Sequence, residues 1–297
     1  MKVLLIGNPI SSGGDTYKRI EILCDILQKG GHEVTTYLTR YAGDGKAHAF
    51  SLSRGIDRMV VVGGDGTLNE IINGLPADSS CPILHFPTGN ANLLARDLKL
   101  PQKTAAIADL VEQGRIIQAD TAVMNTHRFV MVAGIGFDAR VTEELKKVRS
   151  GKINNLSYVR PIIRAAKTRT SHPLFVSIDN GVIKAKAAAV LVSNVKNYAG
   201  VCEMAYDAGI CNGLLDVIIF PRENLLAMLS YLICARFKNI TKIKDVIYVK
   251  AQKSILVQSE EPLPVQLDGD FHGRHHEVFI RNQPGTLRLI VPDGFIK

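Results

Sequence analysis

Tryptophan is absent from the 297 residues, aromatics make up only 6%, and there are five cysteines. Those cysteines (Cys24, Cys81, Cys202, Cys211 and Cys234) are odd in number, scattered, and nowhere spaced C-x-x-C. A disulfide framework is thereby excluded, a zinc site is disfavoured, and reduced thiols in a cytosol fit best. Long apolar runs are also missing. The longest, around Leu225 to Ala235, is interrupted by Ser230 and too short to span a bilayer. No N-terminal stretch has the layout of a signal peptide, because Met1 leads straight into a strand pattern. A cytoplasmic protein is expected. With no aromatic stacking platform, nucleic-acid binding would rest on net charge alone and ranks last.

What is present is a soluble globular composition, 46% hydrophobic and 22% charged, long enough for one large or two ordinary domains. The net charge of +8 favours anionic partners such as a nucleotide or an anionic lipid surface. Much of the excess sits between Lys146 and Arg169, where a solvated basic face is the simpler explanation.

The chain is organised around Met59 to Leu75, MVVVGGDGTLNEIINGL. Met59 to Val62 has the pattern of a strand buried on both faces of a parallel sheet. Gly63, Gly64 and Gly66 permit a sharp turn and close approach of a large group. Leu68, Ile71, Ile72 and Leu75 then form one apolar stripe of a helix, and Thr67 with Glu70 reads as a capping box that starts the helix at Thr67. Strand, turn and helix make a socket of N–H groups for an anion, and the first expectation is phosphate. Asp65 makes most sense there if a divalent cation bridges it to the phosphates. Neither a P-loop nor a Rossmann fingerprint is present.

Further runs at Val3 to Ile6, Val34 to Leu38 and Pro82 to Phe86 alternate with helical patterns, which implies a doubly wound parallel sheet. Ligands bind such sheets at the carboxyl ends of strands, so Thr39, the GGDGT loop and the Pro87 to Asn92 loop should converge. After Gly114 the pattern turns β-rich. It carries a hairpin signal at Asp179-Asn180-Gly181 and two helices, at about Ala139 to Arg169 (broken near Gly151 and Pro161) and Glu223 to Phe237. The expectation is an α/β N-terminal domain, residues 1–125, and a β-rich antiparallel sandwich or barrel with helical insertions, residues 126–297. A last strand near 287–291 is free to return to the first domain. Gly134-Ile135-Gly136-Phe137-Asp138 reads first as domain-junction packing, and Asp268-Gly269 as a hairpin turn or, functionally, as the site of a general base.

Taken together these motifs resemble the diacylglycerol kinase catalytic-domain family, in particular bacterial lipid kinases similar to sphingosine kinases. The resemblance runs through Asn8-Pro9, Gly63 to Glu70, Pro87 to Asn92, Gly134 to Phe137, Ser157-Tyr158, Asn212 to Asp216 and Leu267 to Asp270. The GGDGT block is shared with NAD kinases; the later LDGD and the β-rich half separate the lipid-kinase branch. The resemblance implies ATP-dependent, Mg²⁺-dependent phosphorylation of a lipid hydroxyl, diacylglycerol-like or sphingoid-like. ATP would lie between the domains against Thr39, Gly63, Gly64, Asp65, Gly66, Thr67, Leu68, Asn69, Gly89 and Asn90. Asp268 falls at the family's catalytic base, Asp65 would pair with the nucleotide's Mg²⁺, and a structural metal would sit at Gly209, Asn212 and Leu214. Basic, partly apolar helices of the second half would meet an anionic membrane surface, giving a peripherally membrane-associated enzyme. No protein partner is inferred, and a homodimer stays open.

Three departures stand out. Asn90 replaces a threonine of the family's phosphate loop, Asn212 replaces an aspartate of its metal loop, and Tyr198 to Cys202 is poorer in glycine. Losing the carboxylate at 212 weakens a hard-cation site. The alternatives are therefore a NAD-kinase-like enzyme with a soluble substrate, disfavoured by the LDGD placement, and a non-catalytic nucleotide- and lipid-binding regulatory module.

Overall fold

The computed structural model describes residues 1–9, 15–76, 78–148, 159–167, 173–200, 202–237 and 239–295. The Ser11 to Gly14 loop, Gly151, Ser157 and Tyr158 lie outside them. Two compact units are formed, Met1–Ala119 with Gly285–Lys297, and Asp120–Pro284. The boundary read from sequence was at 125, with residues 126–297 in the second domain. It falls a few residues earlier, inside a strand that no local signal interrupts.

The first unit is built on β1 (Lys2–Gly7), β2 (Glu33–Leu38), β3 (Arg58–Gly63) and β4 (Ile83–Pro87), in the order β2-β1-β3-β4 and all parallel. The last residues of β16 (Asp270–Val291) add a further parallel neighbour, with Leu289 opposite Ile83. β1, β3 and β4 read as unbroken apolar runs because both their faces are covered; Val3 to Ile6 and Met59 to Val62 are essentially inaccessible to solvent. β2 is the edge, and its threonines and Glu33 suit a strand that is wet on one side. Helices α1 (Asp15–Lys29), α2 (Asp44–Leu52), α3 (Asp65–Gly74), α4 (Leu93–Asp97) and α5 (Thr104–Gln113) complete this unit.

The expected capping box is not formed. α3 begins at Asp65, Gly64 is its N-cap, and no side chain caps it. Glu70 instead accepts hydrogen bonds from Gly45 N (2.7 Å) and Lys46 N (3.4 Å), the first turn of α2. The reason is competition between helices. α2 starts from Gly43, which has no side chain to offer, so a carboxylate on the neighbouring helix is the best acceptor for its free N–H groups.

In the second unit every ladder is antiparallel. It contains β5 (Arg115–Met124) from Asp120 on, β6 (His127–Phe129), β7 (Val132–Ile135), α6 (Phe137–Val148), α7 (Val159–Lys167) and β8 (Leu174–Ile178). β9 (Ile183–Ala187), β10 (Ala189–Ser193), β11 (Asn197–Tyr198), β12 (Cys202–Glu203) and β13 (Leu215–Phe220) follow. The unit ends with α8 (Leu225–Phe237), β14 (Ile247–Ala251), β15 (Ser254–Leu267) and β16. The order β14-β13-β10-β7-β15-β16 is extended by β8 on β15 and β9 on β8. Alternate residues, among them Ile135, Val176, Val192, Val217, Ile255, Val265 and Ile280, share one buried core. Pro161 does not break a helix: it is the third residue of α7, a first-turn position where proline is tolerated.

Removing the borrowed cap should unfasten α2. Glu70→Ala is expected to lower stability by about 1 kcal/mol, read as a lower Tm with the far-ultraviolet spectrum retained. An unchanged Tm would show that the Gly45 and Lys46 N–H groups find water at no cost.

Candidate active site

The strands of the first unit end together. Gly7 lies opposite Leu38 and Val62, and Gly63 lies opposite Pro87, so four carboxyl ends share one edge of the sheet. Thr39 follows β2 directly. It is buried, and its N–H and hydroxyl both donate to Gly7 O, at 2.9 and 3.4 Å, so its side chain ties β2 to β1.

The glycines of the loop serve contacts within the protein. A Cβ on Gly89 would come 2.6 Å from Gly64 Cα, so the two loops meet backbone against backbone. A Cβ on Gly63 would come 2.6 Å from that of Thr67, which is packed under the strand end. Leu68 is buried in the core, and Asn69 Oδ1 accepts from Asn73 Nδ2 at 3.0 Å on the same helix. Gly66 is exposed in the uncapped first turn of α3. N–H groups at that turn face outward for an anion, with the helix dipole behind them.

Asp65 is the informative residue. Its Oδ2 accepts from Leu93 N (3.0 Å) and so caps α4. Its Oδ1 is buried and has no hydrogen-bond partner among the described residues. Burial pushes the carboxyl above its ordinary range, offset in part by N–H groups at the start of α4 and by the charge of Arg96. A buried, half-satisfied carboxylate beside an anion socket fits a divalent cation, which would supply the missing positive charge. Asn90 is exposed at the tip of the second loop. The loop is held by Asn92, which accepts from Gly89 N (3.0 Å) and donates to Gly89 O (2.7 Å).

Asp268 and Gly269 form the two-residue turn that joins β15 to β16, with φ of 48° and 91° and Leu267 opposite Asp270. Both positive φ values are those of a type I′ turn. The Asp268 carboxylate is buried and folded back on three successive N–H groups: Val130 to Oδ2 (3.0 Å), Met131 to Oδ1 (2.8 Å) and Val132 to Oδ1 (2.9 Å). These three bonds hold the carboxylate in one orientation. Asp179, at the β8–β9 hairpin, uses the same device on Gln252, Lys253 and Ser254 N–H groups.

The diacylglycerol kinase catalytic domain model matches residues 2–124, and the YegS C-terminal NAD kinase beta sandwich-like domain model matches residues 131–291. The chain belongs to the diacylglycerol kinase catalytic-domain family. Among curated relatives, a diacylglycerol kinase of Staphylococcus carnosus is 28% identical over 303 residues, covering 97% of this chain and 98% of the relative. One of Staphylococcus saprophyticus is 29% identical, covering 96% and 97%. A crystal structure described as a diacylglycerol kinase from Bacillus anthracis superposes with TM-score 0.79 at 26% identity, covering 99% of this chain and 98% of that one. An NAD kinase from Archaeoglobus fulgidus in complex with ATP superposes with TM-score 0.53 at 15% identity, covering 99% and 94%, a likeness of fold alone.

For this diacylglycerol kinase-family chain, the loop holding Gly209, Asn212 and Leu214 does not fit a structural metal. Asn212 Oδ1 accepts from Leu214 N (2.9 Å), Gly209 O accepts from Asn212 N (3.2 Å), and Gly213 N donates to Asp120 Oδ2 (2.7 Å). The loop is closed by its own amides, its donor set at 209, 212 and 214 is neutral, and the nearby carboxylate is committed to Gly213. No group of three or more His, Cys, Asp or Glu among the described residues is placed to hold a metal.

In each unit, residues that hold these loops carry no motif in sequence. His85, buried in β4, donates from Nε2 to Gly63 O (3.0 Å) and so fixes the strand end from which the glycine loop departs. Asp138, half-buried, accepts from the Tyr198 hydroxyl and from Gln266 Nε2 (2.6 Å), and Gln266 Oε1 accepts from Gly269 N (2.8 Å). Burial raises the Asp138 carboxyl above its ordinary range. The glycine of the GIG turn exists for this carboxylate: a Cβ on Gly134 would lie 2.0 Å from Asp138 Oδ2. A polar residue beside glycine in an apolar run was the available signal for Asp138, and for His85 a lone His inside a strand; neither is specific.

Two outcomes follow. Gly89→Ala should separate the two loops, lowering stability by about 1–3 kcal/mol and weakening nucleotide binding; retention of both in a titration would show that the loops can part freely. Burial lowers the His85 pKa from 6.5 to about 4. The folded chain therefore stays neutral there while the unfolded chain takes up a proton. Stability falls as pH drops from about 6.5 toward 4, by up to roughly 3 kcal/mol for this group. Denaturant titrations should show that loss in the wild type and a shallower one in His85→Gln.

Proposed function

We propose that this chain transfers the γ-phosphoryl group of ATP to a lipid hydroxyl, diacylglycerol-like or sphingoid-like. The observation that carries the reading is the Asp65 carboxylate, buried and half-unpartnered at the uncapped N-terminus of α3. Phosphates on the α3 N–H groups and a cation on Asp65 Oδ1 complete each other's charge. Membership of the diacylglycerol kinase family supplies the acceptor class, and the ATP named for the structural neighbour supplies the donor.

The hydroxyl oxygen attacks the γ-phosphorus, the bond to the β–γ bridging oxygen breaks, and ADP leaves. The Asp268 carboxylate takes the hydroxyl proton as general base. The three N–H groups of Val130, Met131 and Val132 hold that carboxylate in one orientation, and Gln266, itself held by Asp138, fixes the following Gly269. Asp65 would hold a Mg²⁺, which would supply neutralisation of charge on the transferring group. Protein N–H groups at α3 orient the phosphates and do the rest by positioning.

A second reading, a nucleotide- and lipid-binding module without turnover, is favoured by one observation. Asp179 shows that an aspartate on three N–H groups can be purely a turn-holding device. The two are separable. With labelled ATP, Mg²⁺ and diacylglycerol in mixed micelles, the wild type is expected to label the lipid. Asp268→Asn is expected to lose roughly 10²-fold or more in turnover with ATP binding little changed. Asp179→Asn should lose stability and keep its turnover per folded molecule. Equal turnover of Asp268→Asn and wild type would remove Asp268 from proton transfer, and absence of labelled product despite ATP binding would favour the module. Asp65→Asn should bind ATP with a weakened dependence on Mg²⁺; an unshifted Mg²⁺ titration would remove the cation from Asp65.

A further inference from the structure

Helix α8 presents the wrong face to water. Leu226, Leu229, Ile233 and Phe237, at i, i+3, i+7 and i+11, form one outward stripe, with relative exposures of 79%, 44%, 60% and 76%. The helix is firmly held from behind. Tyr231 and Ala235 are buried, the Tyr231 ring lies 4.9 Å from that of Phe220, and Asn224 Oδ1 accepts from Ala227 N at 2.8 Å. Just before α8, the Glu223 carboxylate pairs with buried Arg140 of α6 at 2.7 Å. The stripe therefore has no easy route inward. Singly exposed apolar residues need no explanation, whereas four in register on one anchored helix do.

Charge decides between occupants. α8 contains no acidic residue, Arg236 flanks the stripe, and the turn that follows presents Lys242 and Lys244 to solvent. We propose that α8 is an interfacial helix that lies on an anionic lipid bilayer, with Leu226, Leu229, Ile233 and Phe237 entering the acyl boundary and Arg236, Lys242 and Lys244 meeting anionic headgroups. Apolar stripe and basic flank together are the requirements for such binding. Thirteen residues make a helix about 20 Å long, short of the ~30 Å hydrocarbon core, so it lies along the surface. A second copy of the chain is the poorer occupant. A stable dimer needs about 800 Å² per partner, more than one narrow stripe provides. The proposal deepens the lipid-kinase reading by naming the element that brings the enzyme to its substrate, and its test needs no nucleotide.

The absence of tryptophan supplies the probe. Phe237→Trp gives a single-tryptophan protein whose emission should shift to the blue on adding phosphatidylglycerol vesicles, and less with phosphatidylcholine or high salt. Val182→Trp, at an exposed turn elsewhere in the unit, should not shift. The combined Leu226→Gln, Ile233→Gln, Phe237→Gln variant should keep the wild-type Tm and lose roughly 100-fold or more in vesicle partitioning by sedimentation. Unshifted emission from the Phe237→Trp protein, or a triple variant that sediments like the wild type, overturns the proposal. So does a wild-type dimer that the triple variant turns into a monomer while neither binds vesicles. Phosphorylation of a water-soluble short-chain diacylglycerol separates the two readings. Equal turnover by both proteins, with vesicle binding lost only in the variant, supports the proposal. No turnover by either, with binding still stripe-dependent, defeats the kinase reading and leaves α8 as a membrane helix.

Discussion

A carboxylate taken out of water must be met by N–H donors, by a hydroxyl, or by a cation, and the aspartates of this chain are placed by that requirement. Asp179 and Asp268 each collect three successive backbone N–H groups at a hairpin. Asp138 is met by Tyr198 and Gln266. Asp65 is met on one oxygen only. Asp216 is likewise met on one oxygen, by the Tyr248 hydroxyl, so what sets Asp65 apart is its place at the uncapped N-terminus of α3.

Asp268 shows how a structural device and a chemical one can share a residue. The bonds that hold the β15–β16 turn to β7 also fix the carboxylate in a single orientation, which a general base needs. If Asp268 is the base proposed above, stability and turnover are coupled at this position. Asp179 offers the same device without chemistry and so serves as an internal control. The loop at Gly209 to Leu214 makes a related point: with Asn212 in place of a carboxylate, its side-chain oxygen is met by Leu214 N and it offers a hard cation no negative charge.

The membrane attachment proposed for α8, by contrast, would be carried by apolar side chains, whose burial rests on no hydrogen bond. The α8 stripe is costly only because water must order around it, and its flanking cations bias it toward a negatively charged surface. Read as one apolar stretch, Leu225 to Ala235 carries no sign of which residues face outward. The strand pattern on either side, and the buried Tyr231 and Ala235, decide that.

The alternation of buried runs with helical stripes was sufficient for the parallel sheet of the first unit, because a strand covered on both faces has no choice but to be continuously apolar. GGDGT and LDGD were likewise legible, since a strand–glycine–helix junction and a two-residue I′ turn are set by local backbone preference. Contacts between distant segments were not. Glu70 looked like the cap of its own helix and caps α2; Gly89 is glycine because Gly64 passes beside it; Gly134 is glycine because Asp138 folds under it. Pattern and turn chemistry act over a few residues and can be read from the chain. The partner of a buried polar group, and the space a side chain must leave, depend on whatever tertiary packing brings within hydrogen-bonding or van der Waals reach, and only the folded structure decided those.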